Sequence, residues 1–280
     1  MPTASSADDA DDADSGRSMS TNRVMLLISV LRGVDRAGQT FEAGRQKNGL
    51  PGWVSASEHE RTGVRMSNHR SGLFRFGGVA FILSGALFVT QYVLDVMTGP
   101  PPSTGAQIIA WVGAHRIALS FVNEVLFFAS MSLVPGVIAL YQALATGGKT
   151  LAATGCGIMA VVVPILCVLL IVHGRLVYPV YGLHISDPPV AELVVAIFYG
   201  GLHAVGLLMA VATVLLSVAM TRGDFGAPVA MLGFATAVGD VVGAYPYLIS
   251  PVVLFGCQFL FAAWFVAVGW TLFQDRKSVV

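Results

Sequence analysis

The sequence predicts an all-α membrane protein: a six-helix transmembrane bundle with both termini inside, preceded by a disordered polar N-terminal tail. Three observations predict it. The 280 residues are 55% hydrophobic and only 11% charged, with a mean hydropathy of +0.73, whereas soluble domains carry roughly 25% charged residues. The charge is also segregated, since residues 1–75 hold ten of the sixteen Lys and Arg and nine of the sixteen Asp and Glu. Beyond residue 76 the chain runs in apolar stretches of the ~20 residues that a helix needs to cross a hydrocarbon core roughly 30 Å thick.

Residues 1–65 open with Asp8, Asp9, Asp11, Asp12 and Asp14 among Ala and Ser, a low-complexity acidic run with no core-forming pattern. The apolar stretch 24–31 follows this acidic leader without a small-residue cleavage site, so it does not read as a signal peptide. Met66 begins Met-Ser-Asn-His-Arg directly before the first span. That makes it a candidate start, with 1–65 an over-extended or optional segment. Residues 66–75 form a basic juxtamembrane segment.

Six spans follow, at 76–97, 117–141, 151–173, 191–220, 227–247 and 252–273, and then a cytoplasmic tail at 274–280. The fourth is long, which calls for tilt or an extension beyond the bilayer. Short links make neighbouring spans antiparallel. With the N-terminus inside, the inner side holds Arg61, Arg65, Arg70, Arg75, Lys149, Arg222, Arg276 and Lys277, and the outer side only Arg116 and Arg175. This asymmetry places both termini in the cytoplasm of a cell whose plasma membrane the chain spans. Trp111, Tyr178, Tyr181, Tyr245 and Tyr247 then fall near the outer interface, where amphipathic rings belong. The outer links 98–116 and 174–190 exceed what closure needs and are placed to lie over the mouth of the bundle.

The polar residues of the spans collect in the outer half. Gln91 and Asp95 are four residues apart; Arg116, Ser120, Asn123 and Glu124 share one helical face; so do Glu192, Tyr199 and His203, and Thr236 and Asp240. Ionisable groups in hydrocarbon cost about 2.5 kcal/mol or more and normally face an interior with partners. An outward-facing pocket of Glu124, His203, Asp240, Tyr199 and Asn123 is therefore expected, with Asp95, Arg116, His173 and Glu192 as rim or ion-pair residues. The structural alternative has Asp95 pairing with Arg116 and an acid bonding His203, purely as interhelical ties. Gln91, Asn123 and Gln258 read more simply as such ties.

Other signals exclude. Cys156, Cys167 and Cys257 lie in apolar stretches without metal-ligand spacing and read as packing residues. Gly155-Cys-Gly157-Ile-Met-Ala160 has the dinucleotide spacing but no preceding strand. Gly239 and Gly243 flank Asp240 as a small-xxx-small contact. Pro135 and Pro164 are either hinges or static kinks. No catalytic motif, phosphate loop or nucleic-acid patch appears, and no cofactor is expected.

Arg75-Phe-Gly-Gly78 opening the first span, Arg116 followed by Asn123-Glu124 on the second, and Arg222-Gly223 leading to Pro228 and Leu232-Gly233 at the fifth form a set. In these residues the chain resembles the bacterial integral-membrane family called domain of unknown function 4386, over about 200 residues. The resemblance implies a six-span fold and no activity. The function expected is a non-enzymatic accessory or sensory protein whose pocket binds a small ligand or ion, the lipid bilayer being its surroundings. A proton-coupled transporter is the first alternative. The second is an intramembrane metalloenzyme, with His173, His203, Glu124 and Asp240 as N/O donors.

Overall fold

Backbone immersed in lipid must satisfy its own hydrogen bonds, which leaves helices as the natural element for so apolar a chain. The computed structural model describes residues 56–223 and 225–274, with side chains from residue 72 onward. Among these residues there are five helices: α1 (Ala56–Thr98), α2 (Gly105–Val177), α3 (Pro188–Met220), α4 (Ala227–Gly243) and α5 (Pro251–Gln274). Four are long and apolar enough to cross a membrane: α1 from Gly72, α2, α3 and α5.

Three expectations are corrected. The predicted second and third spans lie within one helix, α2, so there are five helices and not six. The predicted fifth span, 227–247, is helical for only 17 residues; Ala244 caps it, and Pro246, lacking an N–H, follows at once. The predicted tail is also helical from Ala56. Residues 56–71 contain no Pro, and extending an existing helix costs far less than nucleating one. The expectations for residues 1–55 and 275–280 lie outside the described residues.

A straight helix of 73 residues would be about 110 Å long, several times a bilayer. The backbone of α2 leaves helical geometry twice, at His115 (φ −112°, ψ 17°) and at Gly148 (φ −178°, ψ 69°). At Gly148 the chain folds back on itself. Arg116 Nε donates to the Val177 carbonyl, the Tyr178 hydroxyl to the Ser120 carbonyl, and Asn123 Oδ1 lies 2.8 Å from His173 Nδ1. Each pair is centred within about two residues of position 148. Pro135 and Pro164 keep helical backbone, so the breaks fall elsewhere than the prolines.

The segments then close a ring in chain order: α1, residues 116–147, residues 149–177, α3, α4 and α5, with α5 packed back on α1. Small residues set these contacts. A methyl built on Gly78 would stand 2.6 Å from the Gly269 carbonyl oxygen, and one on Gly269 would stand 2.6 Å from that of Gly78. Gly85 meets Ala262, Gly77 meets Ala139, Gly136 meets Phe81, Gly155 meets Leu216, and Gly239 and Gly243 meet Cys257. As residue numbers rise on one segment they fall on its neighbour, so adjacent segments are antiparallel.

One end of the ring is covered by the links. Residues 105–114 bury Ile108 and Val112 against Leu119, Val177 and Ala191. Trp111 Nε1 donates to the Thr98 carbonyl (2.9 Å), and the Gly105 N–H to Glu192 Oε1 (2.6 Å). The second link makes a two-residue hairpin in which Val180 and Leu183 exchange backbone hydrogen bonds around Tyr181 (φ 53°) and Gly182 (φ 78°). Such a turn needs positive φ at both central positions, a conformation that costs Tyr181 and suits Gly182. The outside of the ring is apolar, with Val79, Leu83, Phe121, Ile138, Val168, Ile197, Val238 and Phe259 all exposed. A surface this greasy on every segment belongs in lipid.

Candidate functional site

The side chains at the covered end are polar where the ring interior demands the opposite. They form two groups.

The first joins the two limbs of α2. His173 is 2% exposed and stacks on Phe198, with ring centroids 4.3 Å apart. Its Nδ1 lies 2.8 Å from Asn123 Oδ1, so Nδ1–H is the donor. The Asn123 amide nitrogen is buried without a close partner and lies toward the Tyr178 hydroxyl. That hydroxyl is 3.0 Å from both the Ser120 carbonyl and Glu124 Oε1. Burial, with the Glu124 carboxylate accepting its hydrogen bond, raises the Tyr178 phenol above its ordinary pKa. A polar chain therefore runs from buried His173 through Asn123 and Tyr178 to exposed Glu124.

The remaining polar side chains of this end lie on α1, α3, α4 and α5. Asp240 is 9% exposed, and its Oδ2 has no hydrogen-bond partner. Its neighbours Gly239 and Gly243 pack against Cys257 of α5. Asp95, one turn beyond Tyr92, accepts a hydrogen bond from Gln91 Nε2. Tyr92 packs on Phe88, and Tyr199 edge-on to Phe198, which links this group to His173.

Several expected partnerships are replaced. Asp95 does not pair with Arg116; it binds Gln91 within its own helix, while Arg116 Nε caps the Val177 carbonyl at 3.1 Å. His203 bonds neither Asp240 nor Glu124. Its Nδ1 donates to the Ala244 carbonyl at 2.7 Å, and its ring stands edge-on to Tyr245. The register explains this, because Gly206 faces the Asp240 and Ala244 backbone and carries His203 past the acid. Glu124 is exposed and outside the interior, since adjacent helical residues point about 100° apart and Asn123 takes the inward direction. Glu192 holds the link by its bond to Gly105.

Tyr92, Phe198 and Tyr178 were not among the expected site residues. Tyr178 read as an interface ring, and only the tertiary fold joins it to Glu124. A separate set of buried polar atoms without partners, Thr213 Oγ1, Ser217 Oγ and Trp264 Nε1, lies toward the other end. Ser217 and Trp264 crowd the space that a side chain at Gly233 would need. Among the described residues no three His, Cys, Asp or Glu side chains converge on one point, so the metalloenzyme alternative lacks a donor set there. Two grooves of about 270 and 280 Å3, beside Pro135 and Pro164, are lined mainly by apolar side chains. No family model, curated protein or solved structure matches the chain.

Proposed function

We propose that the chain is a non-enzymatic accessory or sensory membrane protein that binds a small ligand or ion at the covered, polar end of its ring. In this reading it crosses the plasma membrane six times. The two limbs of α2 on either side of Gly148 count as separate crossings, α4 completes its crossing through the turn after Gly243, and the covered end faces outward with both termini in the cytoplasm. Alternating direction around the ring and the Lys and Arg asymmetry support that threading. The resemblance to domain of unknown function 4386 belongs to the same proposal, and brings a six-span fold without an activity.

The observation that carries the reading is Asp240. A carboxylate nine-tenths buried among helices, with an oxygen left without a partner, is costly to keep as glue. Interhelical hydrogen bonds in membranes contribute only about 0.6 to 2 kcal/mol even when made. The test is thermal stability in mild detergent across a panel of ions, amines, amino acids and nucleosides, wild type beside Asp240→Asn. A binder at 100 times its Kd stabilises by about 2.7 kcal/mol. A panel member that stabilises wild type and not the variant is the expected outcome. If none does so, and Asp240→Asn melts higher in every condition, Asp240 is only a structural residue and the reading fails.

A proton-coupled transporter is the second reading, favoured by a buried carboxylate inside the ring, that of Asp240, with an unpartnered oxygen. Substrate-dependent proton uptake in proteoliposomes, abolished by Asp240→Asn, is its signature.

A further inference from the structure

We propose that the groove between α1 and the first limb of α2 is a docking site for one anionic phospholipid, with an acyl chain lying along the groove and the phosphate at Arg75. The site belongs to the end of the ring opposite Asp240 and is independent of the ligand-binding reading above.

Shape is the first argument. The groove, of about 270 Å3, is bounded by Phe76, Val79 and Leu83 on α1 and by Phe128, Met131 and Pro135 on α2. The three α1 positions are spaced three and four apart, on one face, and cover about 10 Å of helix. Behind the groove the two helices touch: Gly77 meets Ala139 and the Pro135 carbonyl, and Ser84 Oγ donates to the Ala129 carbonyl. These contacts also fix its axis. The groove opens at Phe76 and Pro135, on the side of the Gly148 turn, and runs to Leu83 and Phe128 deeper in the span. Phe76, Val79, Leu83 and Phe128 are 49 to 64% exposed, so the slot faces the lipid. An elongated apolar slot in that position suits a hydrocarbon chain.

Charge is the second argument, and it comes from other residues. Arg75 is exposed, directly precedes Phe76 and lies one turn before Val79. Its guanidinium stands 5.3 Å from the ring centroid of Phe273 on α5, which keeps a cation at the level where the groove opens. By sequence, the stretches that adjoin this end from Ala56 onward carry eight Lys and Arg against Glu58, Glu60, Asp224 and Asp275. The covered end has the reverse balance, Arg116 and Arg175 against Asp95, Glu124, Asp187 and Glu192. A positive excess at a membrane surface recruits anionic headgroups, and arginine suits phosphate in particular.

The groove beside Pro164 is the internal comparison. It has about the same volume, 280 Å3, and is lined by Pro164, Ile165, Val168 and Leu169. No Lys or Arg adjoins it in sequence; Arg175 is six residues beyond Leu169. Only the α1 groove joins an apolar slot to a cation at its opening.

The test uses the full-length protein in mild detergent, titrated with dioleoyl phosphatidylglycerol, dioleoyl phosphatidylcholine or sodium phosphate. Melting temperature and native mass spectrometry are the readouts. Phosphatidylglycerol is expected to raise the melting temperature saturably, by several degrees, and to stay bound as one molecule under conditions that strip phosphatidylcholine. Arg75→Gln weakens apparent affinity about fivefold and Arg75→Lys by less. Leu83→Trp, which fills the slot from a half-exposed position, weakens it several-fold. Arg175→Gln and Val168→Trp leave it unchanged. Equal responses to the two lipids overturn the proposal, as does an unweakened response in Arg75→Gln. A response to sodium phosphate alone overturns it by making a free anion the occupant, and an unweakened response in Leu83→Trp by placing the lipid elsewhere. Should Leu83→Trp not fold, Phe128→Trp serves instead: phosphatidylglycerol brominated on its chains is expected to quench this tryptophan more than brominated phosphatidylcholine at the same mole fraction, and equal quenching overturns the groove. Neither result bears on the Asp240→Asn comparison, so the two readings fail separately.

Discussion

The two ends of the ring are held by different means. Around Gly78, Gly269, Gly155 and Gly233 the helices touch backbone to backbone or backbone to side chain, with no space for an added methyl. Around Asp95, Asn123, His173 and Asp240 the contacts are made by amide, imidazole, phenol and carboxylate groups, some left unpaired. In lipid there is no hydrophobic drive between helices, so close packing of small residues is what holds a bundle together. The Gly78 end therefore accounts for cohesion. The Asp240 end adds a buried carboxylate that cohesion does not require, and the proposed binding function draws on that group.

The largest effect that sharpens this contrast is expected at the small-residue end. Gly78→Val forces a side chain against the Gly269 carbonyl, and overpacking of this kind costs about 1 to 3 kcal/mol or more. Circular dichroism melting in detergent should drop by many degrees, or no folded protein should be recovered. Gly157→Ala, where a methyl meets nothing within 4 Å, should instead be neutral or stabilising by about 0.5 to 1 kcal/mol. Equal effects of the two changes would break the comparison.

At the polar end, a double-mutant cycle on Asn123→Ala and His173→Ala should give a coupling of about 0.6 to 1.7 kcal/mol. A smaller effect is expected from Trp111→Phe, which removes the bond to the Thr98 carbonyl and should cost about 0.5 to 1.5 kcal/mol with the helices intact. The smallest concerns pH. Tyr178 titrates above its ordinary value of 10.0 in the fold, so its neutral form is the one the fold favours. Its contribution is complete below pH 10 and is lost as pH rises through the raised value. Melting temperatures of wild type and Tyr178→Phe should therefore converge as pH rises above 10 and through the raised value.

Much of this was legible in the residues. The apolar stretches forecast helices because each exceeds the length that soluble cores use, and the gap between the second and third predicted spans falls on Gly148. Its backbone turn was not legible as a break within a continuous helix, because one non-helical residue leaves no composition signal. The prolines misled for the complementary reason: Pro135 and Pro164 lack an N–H, yet neighbouring groups tolerate them without loss of helical geometry. Helical phase grouped Asn123 with Glu124 on one stripe, whereas Asn123 is buried and Glu124 exposed. It had no means to show that Tyr178, from beyond the hairpin, draws Glu124 outward while His173 keeps Asn123 inside.

The most direct measurement is disulfide crosslinking in native membranes, with Cys156, Cys167 and Cys257 replaced by Ala. Asn123→Cys with His173→Cys should crosslink on mild oxidation, because the fold-back at Gly148 brings these positions face to face. Asn123→Cys with Val163→Cys, more than two turns further down the same limb, should not. A crosslink at the second pair and none at the first would contradict the ring, and with it the shared polar end on which the proposed function rests.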